Sequence, residues 1–247
     1  MKAIFIEALY RKIITLPTDL VEALPGAVAL FTSVQFTNSQ QKMKGQIEAE
    51  GKKVVLPTAP HSKYPGQLLG CGIKKFNEKF DAFLYVGDGV FHPQTLVVEN
   101  NKPVFIFDPF GDNKKWEMLD TKIVADKLKR KKGGILKFHA ADNIGVLVST
   151  KPGQNFLKYA MKLKELYPKK NFYFIINNNV DFSQLENFPF VQCWVNTACP
   201  RIGIDDVYKF QKPVVNLDDV AEGILKTSIA YRADKPNAML AKSRAKK

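Results

Sequence analysis

Two cysteines carry the chemical interest of this chain. Cys71 closes the run Gly66-Gln67-Leu68-Leu69-Gly70-Cys71, and Cys199 lies in Asn196-Thr197-Ala198-Cys199-Pro200-Arg201. Each follows an apolar, strand-like run and stands among turn residues, where a thiolate faces outward instead of into a core. Two such thiolates, far apart in sequence, suggest a soft-metal or iron–sulfur site assembled across domains. Pro200 stiffens the loop that holds the second sulfur. The Arg201 guanidinium is suited to lowering a thiolate pKa or clamping a carboxylate. Cys193 differs: it lies inside an apolar run beside Trp194 and reads as a small buried hydrophobe.

Two further loops contain residues suited to a ligand. Gly87-Asp88-Gly89 follows a strand-like run directly, and glycines there allow positive φ and close backbone approach, although an ordinary tight turn uses them equally. His92, in Phe91-His92-Pro93, is able to donate to a ligand carboxylate, or to cap or pack locally. Ser149-Thr150-Lys151-Pro152-Gly153-Gln154 reads as the opening of a helix, where free N–H groups would receive a carboxylate or phosphate. There Gly153 permits close approach and the Gln154 amide both donates and accepts, while a plain strand-to-helix loop is the simpler alternative. No zinc-type Cys or His spacing, phosphate-binding loop or Gly-x-Ser-x-Gly elbow occurs. No side chain is assigned a catalytic role.

These loops need a scaffold, and the pattern supplies one. Apolar runs alternate with helix-length polar segments. Strands are expected at 27–34, 53–56, 82–86 and 103–107, with a helix at 38–50. A charged helix at 114–132 follows, and Gly133-Gly134 reads as its end. The alternation then restarts with strands at 144–149, 172–176, 191–195 and 213–215 and helices at 155–166 and 217–225. Near-continuous apolar strands in βαβα order imply an α/β fold with parallel sheets covered on both faces. The expectation is two similar domains, 1–120 and 121–247, each a short, mostly parallel sheet flanked by helices. Lys102-Pro103-Val104 and Lys212-Pro213-Val214 recur at like distances after strands, which suggests a duplicated unit. In open parallel sheets ligands bind beyond the carboxyl ends of the strands, so the motif loops are expected on that rim, with both sulfurs meeting there.

Of 247 residues, 45% are hydrophobic and 25% charged, an ordinary globular composition. No apolar run approaches a bilayer span and no secretory signal is evident, so a cytoplasmic protein with reduced thiols and no membrane partner is expected. The net charge is +13, but only Arg11, Arg130, Arg201, Arg232 and Arg244 among 37 basic residues are arginine. That scarcity argues against a sequence-specific nucleic-acid reader. The run 127–132 reads as the solvated end of a helix, and 242–247 as a disordered basic tail.

Taken together, four stretches resemble the diphthamide synthesis family, the 2-(3-amino-3-carboxypropyl)histidine synthases. They are Gly66 to Cys71; Gly87-Asp88-Gly89 with Phe91-His92-Pro93; Gly145 to Gln154; and Asn196 to Arg201 with Asp205-Asp206. The resemblance implies similar α/β domains that each give one cysteine to a 4Fe–4S cluster. The family's cluster binds S-adenosylmethionine and cleaves it to a 3-amino-3-carboxypropyl radical, which adds to a histidine of translation elongation factor 2. By this similarity Cys71 and Cys199 are metal ligands. Gly87, Asp88, Gly89, His92, Ser149, Lys151, Pro152, Gly153, Gln154 and Arg201 are cofactor-binding residues. The family's first domain, with its own cysteine, has no counterpart here: 1–25 reads as a connector. The expected partners are therefore elongation factor 2 and a first-domain polypeptide or homologous subunit. A non-catalytic scaffolding or electron-relay subunit of the same complex is the alternative, and a basic RNA-associated protein a third reading.

Overall fold

The structure is a computed structural model that describes residues 6–111, 115–120, 122–151 and 153–221, apart from the Ile123 side chain. The chain divides into two compact units between Val124 and Ala125. The first begins with α1 (Thr18–Ala23) and β1 (Ala27–Thr32), followed by a 3-10 turn (Val34–Ser39) running into α2 (Gln40–Ala49). Then come β2 (Lys53–Val55), β3 (Ala82–Val86), α3 (Gln94–Val98), β4 (Val104–Phe107) and β5 (Trp116–Met118). The sheet order is β2-β1-β3-β4-β5, with every pairing parallel except β4 with β5. After α4 (Lys122–Ala140), the second unit contains β6 (Asn143–Ser149), α5 (Leu157–Ala160), α6 (Leu163–Leu166), β7 (Asn171–Asn177), β8 (Cys193–Asn196), α7 (Ile202–Asp205), β9 (Val214–Asn216) and α8 (Leu217–Val220). Its sheet is all parallel, in the order β7-β6-β8-β9.

Each unit therefore arranges its first four strands in the order second, first, third, fourth. The connection reverses direction between first and third strands, so the loops leaving them diverge and open a crevice at their carboxyl ends. The strands on either side of this point, β1 and β3, β6 and β8, are almost wholly buried. On one face of the first sheet Leu30, Leu84 and Val86 pack with Leu20, Phe36, Met43 and Ile47. On the other, Phe31, Phe76, Phe80 and Phe83 form a chain of ring contacts with centroids 4.8–6.2 Å apart. In the second unit Gly145 lets Trp194 of β8 lie across β6, since a Cβ there would stand 2.2 Å from the indole.

Several expectations change. The segment expected as a helix at 114–132 contains the antiparallel edge strand β5, and α4 starts only at Lys122. Gly133-Gly134 does not end that helix: Gly133 faces open space, and Gly134 lets α4 approach β9, where a Cβ would meet the Val214 carbonyl at 2.7 Å. The run 127–132 is accordingly not a solvated helix end. Lys127 reaches Asp205 at 2.6 Å and Lys131 reaches Asp219 at 2.8 Å. The helix expected at 155–166 is two short helices, because Lys162 N–H and Lys164 N–H bond three residues back and tighten the chain. The expected helix at 217–225 is described through Val220; its remainder and the 242–247 tail lie outside the described residues. No described helix is long and apolar enough to cross a membrane.

Much of the basic character has a structural use. Lys52 donates to the carbonyls of Val21, Glu22 and Leu24 at 2.5–2.8 Å, closing the C-terminal end of α1. Lys170 does the same for α4 through His139 and Ala141, at 2.8 and 2.5 Å. Lys102 holds the Phe80 carbonyl before β3, and Lys212 holds Phe188 and Pro189 before β8 at 3.0 and 2.8 Å. All four lysines precede strands, and the two Lys-Pro-Val repeats are two of these anchors. A lysine here satisfies orphan carbonyls and opposes the negative end of a helix dipole. Lys52→Met and Lys170→Met are each expected to lower stability by about 1–3 kcal/mol. The exposed Lys129→Met should stay within roughly 0.5 kcal/mol. Urea unfolding midpoints of the three variants check this.

Candidate functional site

Three of the motif loops leave β3, β6 and β8, which flank the crevices, while the Cys71 loop follows the edge strand β2. In the first unit, the chain returns past β1: Thr32 N–H donates to Gly66 O at 2.7 Å, and Leu68 N–H to Thr32 O at 2.9 Å. The buried Gln67 side chain accepts from Lys63 and Tyr64 N–H at 2.8 and 3.1 Å, so this side chain organises the loop. Gly66 has φ +69°, and a Cβ there would meet Gln40 Nε2 at 2.8 Å; only glycine fits. Cys71 then stands in a β-turn closed by Gly72 N–H to Leu69 O at 2.9 Å. It is half-buried and forms no disulfide.

The loop after β3 touches this turn. Gly70 lies against the Phe91 ring, which a Cβ would approach to 2.2 Å. Gly87 is buried above Tyr85, whose hydroxyl oxygen a Cβ would approach to 2.4 Å, whereas Asp88 and Gly89 are exposed and Gly89 takes φ +59°. His92 stacks on Tyr85 with centroids 6.1 Å apart, and its carbonyl starts α3 by accepting from Thr95 N–H at 3.0 Å.

In the second unit, Ser149 Oγ accepts from Lys151 N–H at 3.1 Å and Gln154 N–H donates to Lys151 O at 3.0 Å. Lys151 and Gln154 are thus bonded to each other, with Gly153 at φ +80° and open space where its Cβ would be. It does not open a helix as expected. The helix begins at Leu157 and is four residues long, too short for a useful dipole. Pro152 lies outside the described residues.

Cys199 is held by a network of buried amides. Asn196 Nδ2 donates to Cys199 O at 2.9 Å and to Asn216 Oδ1 at 2.7 Å, and Asn196 Oδ1 accepts from Ala198 N–H at 3.1 Å. Asn216 Nδ2 continues to Pro200 O at 2.8 Å. Gly203 permits this, since a Cβ would meet Asn216 Oδ1 at 2.3 Å. Arg201, only 5% exposed, donates from Nε to Asp205, which also pairs with Lys127. Asp206 pairs with Lys209 at 2.8 Å. The half-buried Cys199 thus stands on a rigid loop among paired charges.

Each unit has one half-buried cysteine near the carboxyl ends of its strands, a residue type that suits a thiolate-ligated metal. Two are fewer than a full cluster set, and no group of three or more His, Cys, Asp or Glu suited to a metal occurs among the described residues. Cys193 is fully buried in β8. Burial pushes its thiol up to about 12, with the Lys170 charge working the other way. A shallow groove beside β5, lined by Leu16, Pro17, Asp19, Phe107 and Trp116, includes none of the motif residues.

Two residues escaped the sequence reading. Ser33 Oγ and Tyr85 Oη are buried at the carboxyl ends of β1 and β3, where neither makes a well-formed hydrogen bond and their nearest polar company is each other. Burial, then the charges of Asp88 and Asp108, raises the Tyr85 pKa against the weaker opposing effect of the Ser33 hydroxyl, so the phenol keeps its proton. The available signal was a tyrosine two residues before Gly87, within an otherwise apolar strand.

One mostly parallel and one all-parallel sheet, each with a half-buried cysteine in a loop near its strands' carboxyl ends, define a doubled α/β protein. The family model for diphthamide synthesis proteins matches residues 4–225, and the chain belongs to that family. It is 31% identical over 204 residues to the 2-(3-amino-3-carboxypropyl)histidine synthase of Pyrococcus horikoshii, covering 81% of this chain and 58% of that protein. It is 28% identical over 192 residues to subunit 1 of the Homo sapiens synthase, covering 76% and 43%. A crystal structure of Dph2 from Pyrococcus horikoshii with a 4Fe–4S cluster superposes with a TM-score of 0.69 at 29% identity, covering 84% of this chain and 60% of that one. The chain therefore spans roughly two fifths to three fifths of the length of these relatives.

Thiol chemistry checks the contrast between the cysteines. Cys71 and Cys199 should react with a disulfide reagent in the native chain, and Cys193 only after unfolding. Because the Cys193 pKa is raised on folding, its contribution to stability is complete below about pH 9 and is lost as pH rises toward about 12. Cys193→Ala should show a smaller alkaline fall in urea midpoint than the wild type.

Proposed function

We propose that this chain is part of a 2-(3-amino-3-carboxypropyl)histidine synthase. It holds a 4Fe–4S cluster through Cys71 and Cys199, with the remaining protein ligand supplied by a first-domain polypeptide or homologous subunit. When bound, the cluster supplies an electron that cleaves a carbon–sulfur bond of S-adenosylmethionine, so that the 3-amino-3-carboxypropyl group passes to a histidine of elongation factor 2. The reading rests on one observation above the rest. Each of two sheets of the same strand order carries a half-buried cysteine on its carboxyl rim, in a chain related to a cluster-bearing Dph2.

The protein's own residues bind and orient. The Gly87–Gly89 loop with His92, and the turn of Ser149, Lys151, Pro152, Gly153 and Gln154, line the S-adenosylmethionine site. Gln67, Asn196 and Asn216 hold the cysteine loops. Arg201, neutralised by Asp205, supports the Cys199 loop from below.

Anaerobic reconstitution with iron and sulfide, with the first-domain partner present, tests this. Cys71→Ala and Cys199→Ala are each expected to lose the 4Fe–4S spectrum, and Cys193→Ala to keep it. Addition of S-adenosylmethionine, reductant and elongation factor 2 should release 5′-methylthioadenosine and add the aminocarboxypropyl mass to the factor. Full cluster content in both cysteine variants would remove the proposal. A cluster without cleavage favours the scaffolding or electron-relay subunit, and salt-sensitive RNA affinity without iron favours the RNA-associated reading.

A further inference from the structure

The edge strands of the two sheets are not alike. β2 and β5 are three residues long and carry the exposed charges Lys53 and Glu117. β9 is also three residues long and is buried, with α4 packed against it. Short, charged or covered edges are the usual protection against unwanted strand pairing. β7 has none of these. Its seven residues, Asn171-Phe172-Tyr173-Phe174-Ile175-Ile176-Asn177, include no charge, proline or glycine. It ends its sheet, and among the described residues no strand pairs with its outer side.

Hydrogen-bond parity shows what that side offers. Asn171 N–H donates to Asp142 O at 2.8 Å, and Asn177 O accepts from Thr150 N–H at 3.0 Å. Residues 171, 173, 175 and 177 therefore turn their backbone groups to β6, and Phe172, Phe174 and Ile176 turn theirs outward. Exposed apolar side chains border this outward ladder. Ile176 is 53% and Tyr173 38% exposed, and Tyr173 meets the exposed Phe190 with ring centroids 4.7 Å apart.

The strand's own sequence points to its occupant. Laid antiparallel to itself about Phe174, Asn171 faces Asn177, Phe172 faces Ile176 and Tyr173 faces Ile175, so polar meets polar and apolar meets apolar. The same axis sets every outward-turned residue opposite another, Phe172 to Ile176 and Phe174 to itself, and each such pair exchanges both of its hydrogen bonds. Charge agrees with this direction. The exposed Lys169 precedes the strand and the exposed Asp181 follows it. Antiparallel copies bring each lysine toward the other's acid, whereas parallel copies would set lysine beside lysine. A shallow groove lined by Lys164, Pro168, Phe172 and Tyr173 lies at the amino end of β7, where Ile176 of the second copy arrives.

We infer that β7 is a self-association edge. Two copies of this chain pair through it, antiparallel about Phe174, and join their four-stranded sheets edge to edge across a two-fold axis. The inference does not depend on the proposed function.

Sedimentation equilibrium of the full chain over about a hundredfold range of concentration tests this. The wild type should pass from one chain mass to two. Amide exchange, read at single residues, should slow about tenfold or more at Phe172, Phe174 and Ile176 in the dimer, while Tyr173 and Ile175, bonded to β6, are slow in both forms. Ile176→Lys places a charge opposite Phe172. Ile176→Pro removes an outward N–H without touching the β6 ladder. Each should weaken the dimer about tenfold or more. Leu136→Lys, on the exposed face of α4, should leave it intact. Urea midpoints show which variants are folded. If the wild type stays a monomer throughout, or its dimer survives Ile176→Lys in a folded chain, the inference is overturned. Slow exchange at Phe174 in the monomer overturns it too, because the chain itself then covers the edge. Cluster reconstitution tests the synthase reading separately and is unaffected by any of these outcomes.

Discussion

Parallel strands covered on both faces have nowhere to place a polar side chain except at their ends. That constraint organises each unit of this protein. β1, β3, β6 and β8 are buried over nearly their whole length, and the candidate ligand residues lie at strand ends or in the loops beyond them. The shared order of second, first, third and fourth strand makes the loops diverge at the same place in each unit. The sulfurs of Cys71 and Cys199 are accessible for that reason, while Cys193, a few residues before Cys199 but within the strand, is not.

The opposite ends of the sheets are closed by lysines. Lys52, Lys102, Lys170 and Lys212 cross from one strand entry to the carbonyls of another, where helices and loops end with acceptors unsatisfied. Lys127 and Lys131 neutralise Asp205 and Asp219 on the carboxyl side of the second sheet. A net charge of +13 is therefore partly a structural material, and a nucleic-acid partner is not needed to account for those lysines.

The two rims differ in how fully their polar groups are used. Around Cys199, the amides of Asn196 and Asn216 and the Arg201–Asp205 pair form a closed network, which suits a ligand atom that must stay in place. In the first unit, the buried Tyr85 and Ser33 hydroxyls have at most each other beneath the Gly87 backbone.

The sequence by itself determined the strands and their burial, the duplicated Lys-Pro-Val entries, and the loops in which the chemistry sits. Hydrophobic period and turn residues are local signals, and β3, expected at 82–86, forms over Ala82–Val86. Local signals misread 114–134, because Trp116–Met118 is a strand only through its pairing with β4, and Gly133-Gly134 remain helical only because α4 packs closely on β9. That Arg201 pairs with Asp205, which also meets Lys127, was not legible from the sequence. The surroundings of the Tyr85 hydroxyl were equally invisible, because they are set by Ser33, Gly87 and Asp88 in the folded chain. Which polar groups are satisfied depends on chain segments distant in sequence, so tertiary structure alone decided it.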